Sequence, residues 1–234
     1  MPLAARQVNN IAPDRLRESP LPAREQLAGE KGGRGQTKNK HAMGDITKAI
    51  RLMDEYNKRD PRRILVEGED VPTEYFLALS LSDWVRKLDP AAGESLLLAA
   101  RCQHIGRWEI ARGEYPGGRN GYFRWRKALA RHHAEVAGSL LAQAGYDPDF
   151  IAEVQGMVRK EQLGSDPRVQ VLEDGLCLVF LQHQFEEFSG SVTEEKMTEI
   201  LRKTWKKMSP AARKAASSLS YSPRCARLID RALE

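Results

Sequence analysis

The sequence predicts an all-α fold, a compact multi-helix bundle. Three observations predict it. Apolar residues return at spacings of three and four in one segment after another, which is the period of a helix face. Paired start signals, an Asp or Ser followed by Pro, stand at Asp89-Pro90, Asp147-Pro148, Ser209-Pro210 and Ser222-Pro223. No segment alternates apolar and polar residues as a half-buried strand would, and no repeat period is visible.

The chain has 234 residues, 41% hydrophobic and 29% charged. That suits one domain of ordinary size with a tail, large enough to bury a core. No apolar run approaches the roughly 18 residues of a membrane-spanning helix, so no membrane partner is expected. The N-terminus lacks the apolar stretch of a secretory signal. Cys102, Cys177 and Cys225 form an odd, scattered set. Such a set argues against a disulfide framework and for the cytoplasm. The formal charge of +5 is compatible with phosphate or nucleic-acid partners without demanding them.

Residues 1–44 differ from the rest. Pro2, Pro13, Pro20 and Pro22 precede the run GEKGGRGQTKNKH, and apolar residues are few and aperiodic. Such a composition cannot offset its ordering entropy, so a disordered basic tail is expected. Residues 29–38 are not a phosphate-binding P-loop, because Gly35-Gln36-Thr37 lacks the lysine and no strand precedes it. Met43, at the end of the tail, is a second candidate start of translation.

A helical domain is expected over residues 45–208, followed by short helices in 209–234. Asp45 caps a first helix with Ile46, Ala49, Ile50 and Met53 on one face. Residues 57–70 read as a charged loop. A second helix covers residues 73–88, with Phe76, Leu79 or Ser80, and Trp84 inward. Asp89-Pro90 starts a third, whose stripe of Leu97 and Ala100 continues to His104. Residues 106–121 form a long connection, a length often tied to function. The fourth helix turns Trp125, Leu129, His132 or His133, Val136 and Leu140 inward, and Gly145 ends it. Asp147-Pro148 starts a fifth with Ile151, Val154 and Val158, then Glu161 where a hydrophobe is expected, and Gly164 stops it. A sixth, over residues 169–188, is apolar on nearly all sides and therefore central, with Asp174 pointing inward. Thr193 starts a seventh with Met197, Ile200, Leu201 and Trp205. Ser209-Pro210 and Ser222-Pro223 start two short terminal helices.

The chemistry concentrates in residues 97–135, which hold three of the five histidines and a crowd of arginines. His104, His132 or His133, Glu161 and Asp174 are polar residues on inward faces of four successive helices. Facing helices of a bundle can converge such side chains on a metal. Imidazole and carboxylate ligands suit Mn, Fe or Zn. The competing expectation is a hydrogen-bonded polar core without metal. His183 reads as a core or interface histidine. Arg107, Arg119 and Arg126, with Tyr115, Tyr122 and Trp125, form a second constellation. Guanidinium forks suit phosphate and aromatic faces suit a base. Glu109 and Glu114 could instead neutralise these arginines internally.

Two resemblances follow from these residues. The run from Ala100 through Gln103-His104-Ile105-Gly106-Arg107-Trp108 to Ile110, the Tyr115-Pro116 pair, Gly121-Tyr122, Trp125-Arg126, and residues 201–208 (LRKTWKKM) resemble the family called domain of unknown function 4202. That resemblance covers residues 45–208. More distantly, the order Gln-His-Ile-Gly-Arg, a helix with His132-His133, and then a carboxylate-bearing apolar helix resembles the HD-domain metal-dependent phosphohydrolases. There the pattern is His, then His-Asp-Ile-Gly-Lys, then His, then Asp. Here Gln103-His104 stands in place of His-Asp, and the first histidine falls near Ser80. The resemblance therefore implies an HD-like fold with an altered site. Its metal ligands are His104, His133 and Asp174, and its catalytic carboxylates are Glu161 and Asp174. From the arginine and aromatic constellation, Arg107, Arg119, Tyr122, Trp125 and Arg126 are the expected substrate-binding residues.

Two functions are compatible with this. One is an HD-like, metal-dependent hydrolase of a phosphorylated or nucleotide small molecule. The other is a non-catalytic module that binds an anion in the altered pocket or RNA on basic surfaces. The basic run LRKTWKKMSPAARK is the candidate RNA surface.

Overall fold

Ten α-helices carry most of the described chain, with a small sheet beside them. The computed structural model describes residues 44–234 and the two-residue strand β1 (Gln7–Val8). The expectations of a disordered tail and of a start at Met43 otherwise lie outside the described residues. Two units are distinguished. The first contains the described residues of Met1–Leu79 with Gly93–Arg159, and the second Ser80–Ala92 with Lys160–Glu234.

In the first unit, α1 (Ile46–Asn57) begins as its sequence dictates, with the Asp45 carboxylate accepting from the Lys48 amide. The charged stretch after it is not a loop throughout. It forms a hairpin of β2 (Arg63–Val66) and β3 (Glu69–Pro72), with β1 parallel to β2 on the other side. The turn is Glu67-Gly68, and both residues have positive φ (52° and 90°), as a two-residue hairpin turn requires. Strands of four residues, one of them with Ile64-Leu65-Val66 in an unbroken apolar run, do not alternate visibly, so the sequence hid them.

The hairpin leads directly into α2 (Thr73–Leu88), whose first residues belong to the first unit and whose remainder belongs to the second. Asp89-Pro90 does not start the next helix. The Asp89 carboxylate accepts from Ala91 N, and its carbonyl from Ala92 N, closing a turn instead. Asx turns and N-caps use the same residue types, which is why the two were indistinguishable in sequence. Helix α3 (Glu94–Cys102) starts four residues later at Gly93. Two 3₁₀ turns follow, Arg107–Glu109 and Arg112–Glu114, and then the long α4 (Gly118–Gln143) and α5 (Pro148–Val158). Helix α5 packs on α3 and α4, and α1 packs on the same two. Leu96, Leu98, Ile105, Leu129, Leu141 and Met53 are fully buried among them. Each such side chain contributes about 1.5–3 kcal/mol of burial. Arg101 clamps α3 to α1, with Nε 2.5 Å and Nη2 2.6 Å from the two oxygens of Asp54.

The second unit holds α6 (Pro167–His183), α7 (Phe185–Gly190), α8 (Glu194–Lys207), α9 (Pro210–Ser217) and α10 (Pro223–Leu233). The expected central helix is real but breaks at Gln184, so its last residues form α7. Leu178, Leu181, Phe185, Met197, Leu201, Cys225 and Leu228 build this unit's core. Thr193, Ser209 and Ser222 cap α8, α9 and α10 through their side-chain oxygens, as their sequence signals require. The three cysteines are buried free thiols. Among the described residues, no helix is long and apolar enough to cross a membrane.

Candidate functional site

The site grows from the first turn of α2. Glu74 stands there in phase with Leu77 and Leu81, so the helix buries it with them. Its Oε1 accepts from Arg62 Nη2 at 2.7 Å. Arg62 also makes a paired contact with Asp60, Nε to Oδ1 at 3.0 Å and Nη2 to Oδ2 at 2.8 Å. Asp60 in turn accepts from the Glu74 amide at 2.9 Å and so satisfies a free N–H at the start of α2. Two buried carboxylates thus share one guanidinium. Burial pushes the Glu74 carboxyl above its ordinary range, against the pull of Arg62 and Arg107. Its Oε2 is buried without a hydrogen-bond partner.

Against Glu74 lies the turn after α3. Helix α3 ends at Cys102, so His104 does not extend the helical stripe as expected. Gln103 takes the buried position instead, its Nε2 donating to the Val158 carbonyl at 2.9 Å. His104 sits in the turn, partly exposed, with Nδ1 4.0 Å from Glu74 Oε2. Gly106 makes the turn possible. Its φ is +69°, and a Cβ there would lie 2.7 Å from His132 Nε2. Arg107 follows, with Nε 3.8 Å from Glu74 Oε1 and its guanidinium 5.3 Å from the Trp125 ring centroid. Burial pushes the Arg107 guanidinium below its ordinary value. Glu74 opposes this, and the charges of Arg126 and Arg62 add to it. Burial is the larger effect, and the pull of Glu74 does not fully offset it.

Helix α4 closes the site. Of the two adjacent histidines, His133 is the buried one. Its Nδ1 lies 2.6 Å from the Ile105 carbonyl, an atom that can only accept. Nδ1 therefore carries the proton, and Nε2 presents a bare lone pair, buried and without a partner. Burial pushes the His133 imidazole down to about 3, against the Ile105 hydrogen bond and with help from Arg107, His132 and Arg126. It is neutral at physiological pH. The His104 and His133 rings stand 5.9 Å apart. His132 points elsewhere, its Nε2 2.8 Å from Glu109 Oε2. Tyr56 donates to the same carboxylate at 2.9 and 3.1 Å. Glu109 is thus engaged by His132 and Tyr56, and the carboxylate beside Arg107 is Glu74.

The other expected residues are placed as follows. Trp125 donates to the Ile110 carbonyl at 3.0 Å and packs 5.9 Å from Tyr122. Arg119 is exposed and lies over Phe123 at 5.5 Å. Glu161 is not on α5, which ends at Val158. It lies in a turn where Lys160 and Gln162 have positive φ (58° and 64°), and it is exposed. The helical register that pointed it inward does not reach it. Asp174 is buried, as its register on α6 requires. Its Oδ1 accepts from Gln170 Nε2 at 3.0 Å and from the Ser209 amide at 2.9 Å. Glu161 and Asp174 belong to the second unit, and His104 and His133 to the first. Among the described residues, no group of three or more His, Cys, Asp and Glu side chains stands arranged to hold a metal ion.

Sequence reasoning missed Glu74, Asp60 and Arg62. Asp60 and Arg62 fell inside the stretch read as a loop. Glu74 was not singled out, although its phase with Leu77 and Leu81 was a readable signal.

The family model described as a domain of unknown function, DUF4202, matches residues 47–229. No curated protein and no solved structure matches the chain.

Proposed function

This chain belongs to the DUF4202 family, as its motifs implied, and we propose that it is a metal-dependent hydrolase of a phosphorylated small molecule. One observation carries the reading. Arg107 is largely buried beside Arg126 and Arg62, and its nearby carboxylate, Glu74, is already hydrogen-bonded to Arg62. Clustered guanidinium groups repel unless an anion offsets them, and their planar forks suit phosphate oxygens. Arg107 and Arg126 would bind the phosphate, with Trp125 fixing the plane of Arg107 from one side.

A divalent metal, Mn, Fe or Zn, fits the donor chemistry on the facing side. Among the described residues, no donor satisfies the buried acceptors His133 Nε2 and Glu74 Oε2. The Ile105 hydrogen bond fixes the tautomer a metal-bound imidazole needs. Three protein donors are enough where water or substrate completes the coordination, as in catalytic zinc sites. His133, Glu74 and His104 are the residues that would hold it. When bound, the metal would supply Lewis-acid polarisation of a phosphoryl oxygen. Burial raises the Glu74 carboxyl while Arg62 and Arg107 pull it down, so the carboxylate is held by guanidinium on Oε1 and leaves Oε2 as the ligand atom. The HD-like character of the fold belongs to this proposal, resting on the order of Ile105-Gly106-Arg107 and His132-His133. So does action in the cytoplasm, where three free thiols stay reduced.

The test is turnover of phosphate esters by the full-length protein with and without added Mn, Fe or Zn, beside elemental analysis of wild type and His133→Ala. Metal-stimulated hydrolysis by the wild type, with metal content lost in the variant, is the expected result. Phosphate binding without turnover or metal would favour the non-catalytic anion-binding module. Salt-sensitive RNA binding without either would favour the RNA reading.

A further inference from the structure

Phe123 is the most exposed large hydrophobic residue among the described ones, at 54%, and its neighbour Tyr122 is 45% exposed. Both lie in the opening turns of α4, next to the arginines of the site. Their rings meet edge to face at 5.9 Å, and Tyr122 stands the same distance from Trp125. A guanidinium covers each end of this row, Arg107 over Trp125 at 5.3 Å and Arg119 over Phe123 at 5.5 Å. The inner end of the row is therefore the anion site, and the outer end is an open aromatic ledge. Aromatic rings are normally among the most buried side chains, so two left open side by side mark a surface that something covers.

We propose that the phosphorylated ligand is a nucleotide, with its phosphates on Arg107 and Arg126 and its base stacked on Tyr122 and Phe123. The inference rests on the phosphate reading of the site and adds the ligand's second half. A sugar phosphate has no π face to offer the ledge, whereas every nucleobase does. Arg119 supplies a planar cation at the ledge, which stacks on a base as readily as on Phe123. The occupant is thus recognised by charge at one end of the row and by stacking at the other. A stacked base is worth roughly tenfold or more in affinity.

The experiment is calorimetric titration of the full-length protein with ADP, GDP, CDP and UDP, beside pyrophosphate and ribose 5-phosphate. Wild type, Phe123→Ala and Tyr122→Ala are compared. Both side chains are exposed, so the variants should keep the wild-type circular dichroism and melting midpoint. At least one nucleoside diphosphate should bind about tenfold or more tightly than pyrophosphate. Phe123→Ala should remove most of that advantage and leave pyrophosphate binding unchanged. Nucleotides that bind no better than pyrophosphate or ribose 5-phosphate, or variants that bind them as well as wild type, overturn the nucleotide inference and leave the phosphate site standing. If no phosphorylated compound binds, both fail together. Loss of pyrophosphate binding in Phe123→Ala would also count against it, because the ledge would then be structural.

Discussion

Glu74 accepts from Arg62 through Oε1 at 2.7 Å while its second oxygen, Oε2, is buried with nothing to accept from. An acid half-satisfied in this way is costly to bury, and burial already pushes its carboxyl upward. The arrangement is best explained if Glu74 restrains the arginines and leaves one oxygen for a ligand. Glu74→Gln keeps the acceptor for Arg62 and removes the negative charge beside Arg107. Affinity for inorganic phosphate should then rise, by on the order of 1 kcal/mol for one charge at a partly buried site, or about fivefold. Isothermal titration measures it. Weaker phosphate binding in a folded Glu74→Gln protein would contradict the idea that the arginines await an anion.

His133 gives a prediction with a definite sign. Its folded-state value lies at about 3, below the ordinary 6.5. Between those two values the unfolded chain binds a proton that the folded chain refuses. Stability therefore falls as pH drops from about 6.5 toward 3, by up to about 1.4 kcal/mol per pH unit from this group. Above pH 6.5 the group contributes no slope. Urea unfolding of wild type and His133→Gln across pH 4–8 should show a shallower acid-side slope in the variant. Parallel slopes would mean that His133 titrates normally and is not held neutral.

Gly106→Ala should cost about 1–3 kcal/mol, since the position needs positive φ and a Cβ would press on His132. The thermal midpoint reads the loss. The same change should loosen the Arg107 turn, so phosphate affinity should fall with stability. An alanine variant as stable as wild type would show that the turn is not held as described.

How much of this was legible in the sequence can be judged residue by residue. The caps at Asp45, Asp147, Thr193, Ser209 and Ser222 were readable because a cap is a local hydrogen bond, made within four residues. Burial of Asp174 was readable because helical phase is local too. Glu161 was misplaced by the same logic, since phase says nothing once a helix has ended, and left-handed residues at Lys160 and Gln162 end this one. The hairpin was hidden because each strand is only four residues long, too short to show an alternation, and Asp60 and Arg62 were hidden with it. The pairing of Arg107 with Glu74 joins residues far apart in the chain, and no local pattern announces such a contact. Helical spacing left His132 and His133 open and the HD resemblance chose His133, which is the buried one on the Ile105 carbonyl, while His132 meets Glu109.

Asp174 separates two roles by two substitutions. Asp174→Ala removes the acceptor for Gln170 and for the Ser209 amide at the start of α9. It should lose about 1–3 kcal/mol in urea unfolding. Asp174→Asn keeps an acceptor and should retain most of the stability. Loss of turnover or metal in a folded Asp174→Asn protein would contradict a metal site built from His133, Glu74 and His104. If turnover and metal survive, the residue serves α9.

The central claim is that Arg107 and Arg126 form a phosphate site, and one titration reaches it most directly. Wild type, Arg126→Ala and Arg124→Ala are titrated with pyrophosphate at fixed ionic strength. Arg124 is an exposed arginine on the same helix and controls for net charge. Arg126→Ala should lower affinity at least tenfold while keeping the melting midpoint of the ligand-free protein, and Arg124→Ala should change it by less than about twofold, as expected for a screened surface charge. Equal losses in both variants, or no pyrophosphate binding by the wild type, would contradict a built anion site.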